Sequence, residues 1–329
     1  TSSTGLGASA GYFTCDRWKM DFNATAGRLT MSQASDGPVG FANCIKLDCT
    51  TADTSIAAGE YIMLEQRFEG QDLQQIGKGT SSAKELTLSF YVKANAAFTF
   101  GVELYDNDNT RQITKLFTTT TGWNRIELTY PADTTGAFDD DNARSLLVTF
   151  WLHSGSTYAG GTLNSSSWAS VTNANRAAGI DSFFSSTSNE FYLTGVQLEL
   201  GTEATPFEHR SFADELHRCQ RYFEVIVSGN SKEIGGGNYY SSSSIHCPTI
   251  FETSKRTESY SVTVTGGTNY FLVYRDGTSD SFDGFTGSTR ANINRCLLYA
   301  TSGVSGTAGH GLELLTNNAS AKVVVDDEL

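Results

Sequence analysis

The sequence predicts an all-β protein built from two sandwiches, and three observations carry that reading. Leu86, Leu88, Phe90 and Val92 alternate with Thr87, Ser89, Tyr91 and Lys93, and Phe98, Phe100, Val102 and Leu104 repeat the pattern after an Ala-Asn turn. Turn-forming clusters fall between such runs, at Asp106–Asn109, Thr120–Gly122 and Asp139–Asn142. Polarity comes less from charge, at 18% of residues, than from Ser, Thr, Asn and 32 Gly, while 20 Phe, 14 Tyr and 4 Trp supply a core.

Along the chain, TSSTGLGASAG reads as a flexible lead-in over residues 1–11. A first β domain is expected over 12–208, with strands at Tyr61–Phe68, Leu86–Lys93, Phe98–Leu104, Trp123–Tyr130 and Leu146–Leu152. Gly155–Gly179 is a long Ala/Ser-rich excursion without periodicity, a length at which loops are usually functional or locally disordered. The run from Phe191 to Leu200 places apolar residues on both faces of a strand, as inside a sandwich. Pro206 then breaks the chain, and Ser211 can cap a helix with Asp214 and Glu215 in its first turn and Arg218 and Arg221 in its last. Phe212, Leu216, Cys219 and Phe223 share one face of this linking helix, 209–223, which is expected to pack between two domains. A smaller second β-sandwich follows over 224–329, with strands at Tyr222–Val227, Glu258–Thr265, Asn269–Arg275, Arg295–Thr301, Gly311–Leu315 and Ala321–Val325. Gly235–Gly237 and Ser241–Ser244 read as bounds of a loop there.

A chain of 329 residues can bury a sizeable core, and its length suggests two domains. The net charge of −13 without a Lys/Arg cluster repels nucleic acid and anionic membrane, and no apolar run is long enough to span a bilayer as a helix. Cysteines 15, 44, 49, 219, 247 and 296 contain no CxxC pair, so they read as free thiols rather than a zinc site, in line with cytoplasmic assembly. Thr1 in place of an initiator Met fits a trimmed terminus. His153, His209, His217, His246 and His310 form no HxH, HExxH or nucleophile-elbow pattern, and no carboxylate pair stands out, so no catalytic residue and no enzyme activity is expected.

GVQLELGTEATPFEHRSFADELHRCQRYF (Gly195–Phe223) resembles a signature of tail-fibre and other virion proteins of tailed bacteriophages, of the marine and cyanobacterial type. The family's upstream blocks are matched, in order, by CDRW (Cys15–Trp18), LEQRFEG (Leu64–Gly70) and AKELTLSFYVKA (Ala83–Ala94), so the resemblance covers roughly the first two thirds of the chain. It implies that the first domain is a jelly roll like that of carbohydrate-binding modules. It also implies a homotrimeric virion protein, most simply a tail fibre that recognises host cell-surface polysaccharide and contacts other virion proteins. The alternative is a non-catalytic capsid decoration or tail-assembly scaffold. No cofactor is expected beyond a structural calcium, which the resemblance would place near Asp16, Glu69 or Glu199; Asp106/Asp108 and Asp139–Asp141 are further oxygen-rich turns.

Sugar rings stack their C–H faces on aromatic side chains, so the candidate ligand residues are aromatics in expected loops: Tyr158, Trp168, Tyr239, Tyr240, Phe282 and Phe285, with Tyr270 beside them. Trp18, Trp123 and Trp151 fall in strand-like runs and read as core. The segment Arg275–Arg290 carries two Asp-Gly turn signals, between which Phe282 and Phe285 are expected to project as a contact loop.

Overall fold

A computed structural model describes residues Thr1–Leu329, which divide into two compact units, Thr1–His209 and Arg210–Leu329. The fold is all-β: a jelly-roll sandwich, a short helix, and a smaller β-sandwich.

In the first unit the strands are β1 (Ser2–Leu6), β2 (Gly11–Tyr12), β3 (Lys19–Asn23), β4 (Arg28–Ala34), β5 (Cys44–Thr51), β6 (Tyr61–Glu69) and β7 (Leu86–Ala94). They continue as β8 (Thr99–Asp106), β9 (Arg111–Thr118), β10 (Asn124–Tyr130), β11 (Arg144–Ser154), β12 (Ala169–Ser170) and β13 (Glu190–Leu200), with a one-turn helix α1 (Ser156–Ala159). Two antiparallel sheets result, ordered β1-β4-β5-β13-β7-β10 and β12-β9-β8-β11-β6-β3-β2. Between them Phe90 meets Phe117 and Phe150 edge-on at 5.1 Å, and Phe100 meets Phe191 at 5.7 Å. The alternation in β7 explains this core: Leu88, Phe90 and Val92 are fully buried on the inner face. The expected flexible lead-in is instead an edge strand, since Ser2, Ser3 and Leu6 pair with Ser32, Met31 and Leu29.

Buried charges fasten one end of this sandwich. The Lys78 ammonium donates to Asp106 and to the carbonyls of Thr135 and Gly136, and lies 3.1 Å from Asp133. Asp133 in turn accepts two bonds from Arg111, at 2.7 and 2.9 Å. Three loops are thereby tied to one another by groups that water cannot reach.

The second unit begins with α2 (Phe212–Gln220), whose Ser211 cap accepts from the Asp214 amide at 3.2 Å. The strands are β14 (Phe223–Ser228), β15 (Glu233–Ser241), β16 (Ser244–Ile250), β17 (Ser261–Thr265), β18 (Phe271–Arg275), β19 (Thr278–Phe282), β20 (Gly287–Asn292), β21 (Arg295–Ala300), β22 (Gly311–Thr316) and β23 (Lys322–Asp326). A three-stranded sheet, β14-β23-β17, and a seven-stranded sheet, β19-β18-β22-β15-β16-β21-β20, enclose a core of Tyr239, Phe271, Phe282, Leu298, Leu314, Val323 and Val325. Fully buried Lys255 donates to Glu224 and to the carbonyl of Gln220, the last residue of α2. The helix α2 buries no residue: Phe212 is 82% exposed and Leu216 43%.

All six cysteines are unbridged. Burial pushes the thiols of Cys15, Cys44, Cys49, Cys247 and Cys296 up to about 11, so their thiolates form only as the pH approaches that value.

Three outcomes follow. Lys78→Met leaves the buried Asp106 carboxylate without its cation and should destabilise the first unit by about 3 kcal/mol in denaturant unfolding. Leu216→Asp, on a half-exposed helix position, should change stability by no more than about 0.5 kcal/mol. Iodoacetamide at about pH 8 should alkylate the four buried thiols at least about tenfold more slowly in the native chain than in guanidinium, and the gap should narrow as the pH is raised.

Candidate functional site

The structure disperses the six candidate aromatics. Trp168 is 8% exposed, its indole N–H donating to the Pro131 carbonyl at 2.9 Å, and so belongs to the core. Tyr239 is fully buried, with its hydroxyl accepting from Arg275 Nε at 2.9 Å. Phe282 is also buried, 5.6 Å from Phe271 and 5.5 Å from Phe285, so the expected projecting pair is an inward-facing one. Phe285 and Tyr270 are half-buried against the same core. Tyr158 is half-buried, standing edge-on to Tyr61 at 5.2 Å and 5.4 Å from Trp151. Of the six, Tyr240 alone is open to solvent, at 66% exposure.

Strand geometry explains this sorting. Tyr239 and Tyr240 are not loop residues but neighbours in β15, so one faces the core and the other faces out. The Arg275–Arg290 segment likewise runs from the β18–β19 turn through β19 into β20, and Phe282 of β19 pairs directly with Phe271 of β18 on the inner face. Gly235–Gly237 and Ser244 lie in strands as well.

Around Tyr240 the outer face of the seven-stranded sheet carries an aromatic strip. In β16, Ile245 and Cys247 point inward and His246 outward. The His246 ring stacks on Tyr240, with centroids 4.5 Å apart and planes 15° from parallel. Tyr299 of β21 lies directly opposite His246 in the ladder, with ring centroids 6.5 Å apart. Pairing registers extend the row on both sides: Gly311 opposite Asn238, Asn238 opposite His246, and Tyr299 opposite Gly287. With strands spaced about 4.8 Å apart, these five positions span about 19 Å. Glycine shapes the row. A Cβ on Gly237 would stand 2.2 Å from the His246 carbonyl oxygen, so only glycine lets β15 and β16 approach this closely. Further along the same face Tyr274, 47% exposed, sits opposite Glu313.

Burial, and then the charge of Arg290, hold His246 below its usual value, so the imidazole is neutral at neutral pH. The strip therefore offers uncharged ring faces flanked by an exposed amide, Asn238. Apolar C–H surface can stack on such faces while hydroxyls find the amide and the histidine nitrogens. His246 and Tyr299 escape a reading confined to loops; the signal that could have found them is the period-two alternation through Ile245, His246 and Cys247.

In the first unit, the long Gly155–Gly179 excursion lies against the outer face of the seven-stranded sheet. Arg176 sits 4.9 Å over Trp151 and 5.0 Å over Tyr105, and forms a bidentate pair with Glu103 at 2.7 and 2.8 Å. Trp151 also donates to Glu103 at 3.0 Å, so these rings are covered rather than presented. Trp151 is core, as expected, whereas Trp18 and Trp123 are half-buried; Trp123 packs with Tyr192 beneath Lys93.

Six of the acids considered for calcium accept bonds from within the chain, while Asp139 and Asp140 are exposed. Asp106 holds the Lys78 ammonium, Asp108 accepts from the Asp139 amide, and Asp141 accepts from the Ala143 amide. Asp16 accepts from the Arg17 amide, Glu69 from Gln71 and Glu199 from Thr205. Among the described residues, the three that converge with metal-ligand spacing are Asp53, Glu60 and His153.

No protein-family model matches the chain, and no curated protein matches it. Similar solved structures include one described as the structure and function of CBM4 (12% identity, TM-score 0.31, 55% of this chain and 86% of that one). Another is a family 11 carbohydrate-binding module from Clostridium thermocellum in complex with a β-1,3-1,4-mixed-linked tetrasaccharide (13%, 0.31, 62% and 98%). A third is the enzymatically active domain of bacteriophage CBA120 tailspike protein 4 (12%, 0.32, 56%), of which this chain spans 19%.

The neighbouring tyrosines give a direct test of the two faces. Tyr239→Ala should cost about 3 kcal/mol or more of unfolding free energy, as for other buried aromatics, whereas Tyr240→Ala should cost less than about 1 kcal/mol. Equal losses in denaturant titrations would mean that Tyr240 is covered too.

Proposed function

We propose that this chain is a structural protein of a tailed-bacteriophage virion that binds glycan on the host surface, in a tail-fibre role, through the outer face of its second unit. The observation that carries this reading is the strip of exposed Tyr240 and half-buried His246 and Tyr299, the last two directly opposite in the ladder, beside exposed Asn238. The tail-fibre signature over Gly195–Phe223 supports the virion setting. We read the protein as a non-catalytic binder. Each site is small and uncharged, so avidity from several copies on one particle supplies affinity that one strip lacks. A homotrimer fits that need, and exposed Phe212 and Leu216 on α2 offer apolar surface for a subunit contact.

The purified chain, screened on a glycan array, should bind a defined set of bacterial surface polysaccharides. Tyr240→Ala and Tyr299→Ala should each weaken binding about tenfold, close to 1.4 kcal/mol, while raised salt should change it little. Folded variants that bind like the wild type would exclude the strip. Antibody labelling of intact particles on the capsid, together with no array binding, would favour the decoration or scaffold role. Light scattering at micromolar concentration tests the trimer, and a stable monomer would refute it.

A further inference from the structure

One corner of the first unit holds a group of side chains that neither the core nor the aromatic strip uses. Asp53 follows β5, Glu60 precedes β6, and His153 lies near the end of β11. They are 5%, 6% and 0% exposed, and their candidate donor atoms all lie within 4.8 Å of one another. The β11–β6 register shifts between Trp151 and His153, a bulge that turns His153 out of the simple alternation and against Phe184 at 5.4 Å.

Two atoms in this corner have no hydrogen-bond partner: Glu60 Oε2 and His153 Nε2, each shielded from water. They face each other at 3.5 Å, too far for a normal hydrogen bond. Leaving either buried and unsatisfied costs about 1–3 kcal/mol. The other groups are already fixed. His153 Nδ1 lies 2.7 Å from Ser182 Oγ, which orients the ring and leaves Nε2 aimed at Glu60. Asp53 is held by Thr25 Oγ1 at 3.0 Å, the Ala26 amide at 2.8 Å and the Ser55 amide at 3.3 Å. Its own amide donates to the Phe184 carbonyl at 2.8 Å, two residues beyond Ser182. The result is one imidazole nitrogen and two carboxylates converging on a buried point, with a second shell holding the imidazole and one carboxylate.

We propose that Asp53, Glu60 and His153 form a binding site for a divalent transition metal of the zinc class. Imidazole with carboxylates suits zinc, whereas calcium takes six to eight oxygens. At about 2.0–2.2 Å from a zinc ion, donors stand no more than about 4.4 Å apart. The observed donors lie within 4.8 Å of one another, with His153 Nε2 and Glu60 Oε2 already 3.5 Å apart. The bound ion satisfies both orphaned atoms at once and ties the ends of β5, β6 and β11 together.

The test uses the full chain stripped by a chelator and then titrated with zinc chloride. Calorimetry should give one zinc per chain, and zinc should raise the melting temperature where calcium does not. Glu60→Gln keeps the shape and gives His153 Nε2 an amide donor. It should fold like the stripped wild type but bind zinc more than about 100-fold more weakly. His153→Gln is the second variant should Glu60→Gln fail to fold, and an anomalous-scattering peak between Asp53 and His153 in zinc-soaked crystals fixes the position. A wild-type chain that binds no zinc overturns the proposal. So does a Glu60→Gln chain with undiminished zinc affinity, which would place the metal elsewhere, for instance on the thiols.

Discussion

A β-strand gives its side chains alternately to two faces, and in both units one of those faces is consumed by the core. Almost every other feature depends on this constraint. It places Phe90 edge to face with Phe117 and Phe150, and Phe100 with Phe191, between the two sheets of the first unit. It separates Tyr239 from Tyr240, so that adjacent residues of identical chemistry serve the interior and the surface. It also explains why the exposed ring of Tyr240 has company. Once Ile245 and Leu298 are committed inward, His246 and Tyr299 must point out, and the ladder sets them opposite each other. The aromatic strip is a by-product of register, fixed by the same hydrogen bonds that hold the sheet.

Where the constraint leaves polar groups inside, internal partners take them up. Lys78 lies between Asp106 and Asp133, and Lys255 between Glu224 and the end of α2. Such pairs gain little net energy over an apolar core but are costly to break, so they fix loop geometry more than they add stability. This bears on the acidic turns. Asp106 sits in an Asp/Asn-rich turn, as an oxygen-rich cation loop would, yet its cation is a lysine 28 residues earlier in the chain. Sequence spacing cannot distinguish these cases, because the partner arrives through tertiary folding.

Much of the fold was legible. Alternation and turn chemistry located most strands after residue 60, and the Ser211 cap with Asp214 and Glu215 located α2 to within three residues at each end. The early strands were not legible: Lys19–Asn23 and Arg28–Ala34 are short, and Cys44–Thr51 mixes lysine, aspartate and cysteine among its apolar residues. The glycine run Gly235–Gly237 reads as loop because glycine is a poor strand former in general, yet at Gly237 close approach of the neighbouring strand requires it. The candidate site was legible in one residue. Loop aromatics were sought on the premise that exposed rings sit in loops; Tyr240, His246 and Tyr299 show that an outer sheet face presents them as well. His153 was beyond reach, since its direction depends on a bulge that no local pattern announces.

The two surfaces that bear aromatics differ in a way that matters for binding. In the first unit Arg176 and Lys93 lie over Trp151, Tyr105, Trp123 and Tyr192, so a ligand would have to displace cations already paired with Glu103 and Asp36. Breaking a paired, partly desolvated charge costs more than one stacked sugar face returns. In the second unit no cation–π contact covers Tyr240, His246 or Tyr299, and the ring that stacks on Tyr240 is a neutral imidazole. Little has to move before a ligand can lie down, and little ordering entropy is lost when it does. A pre-formed, uncharged, shallow strip of this kind gives weak contacts that form and release quickly. In the virion role proposed above, many copies on one particle, rather than one tight site, would decide attachment.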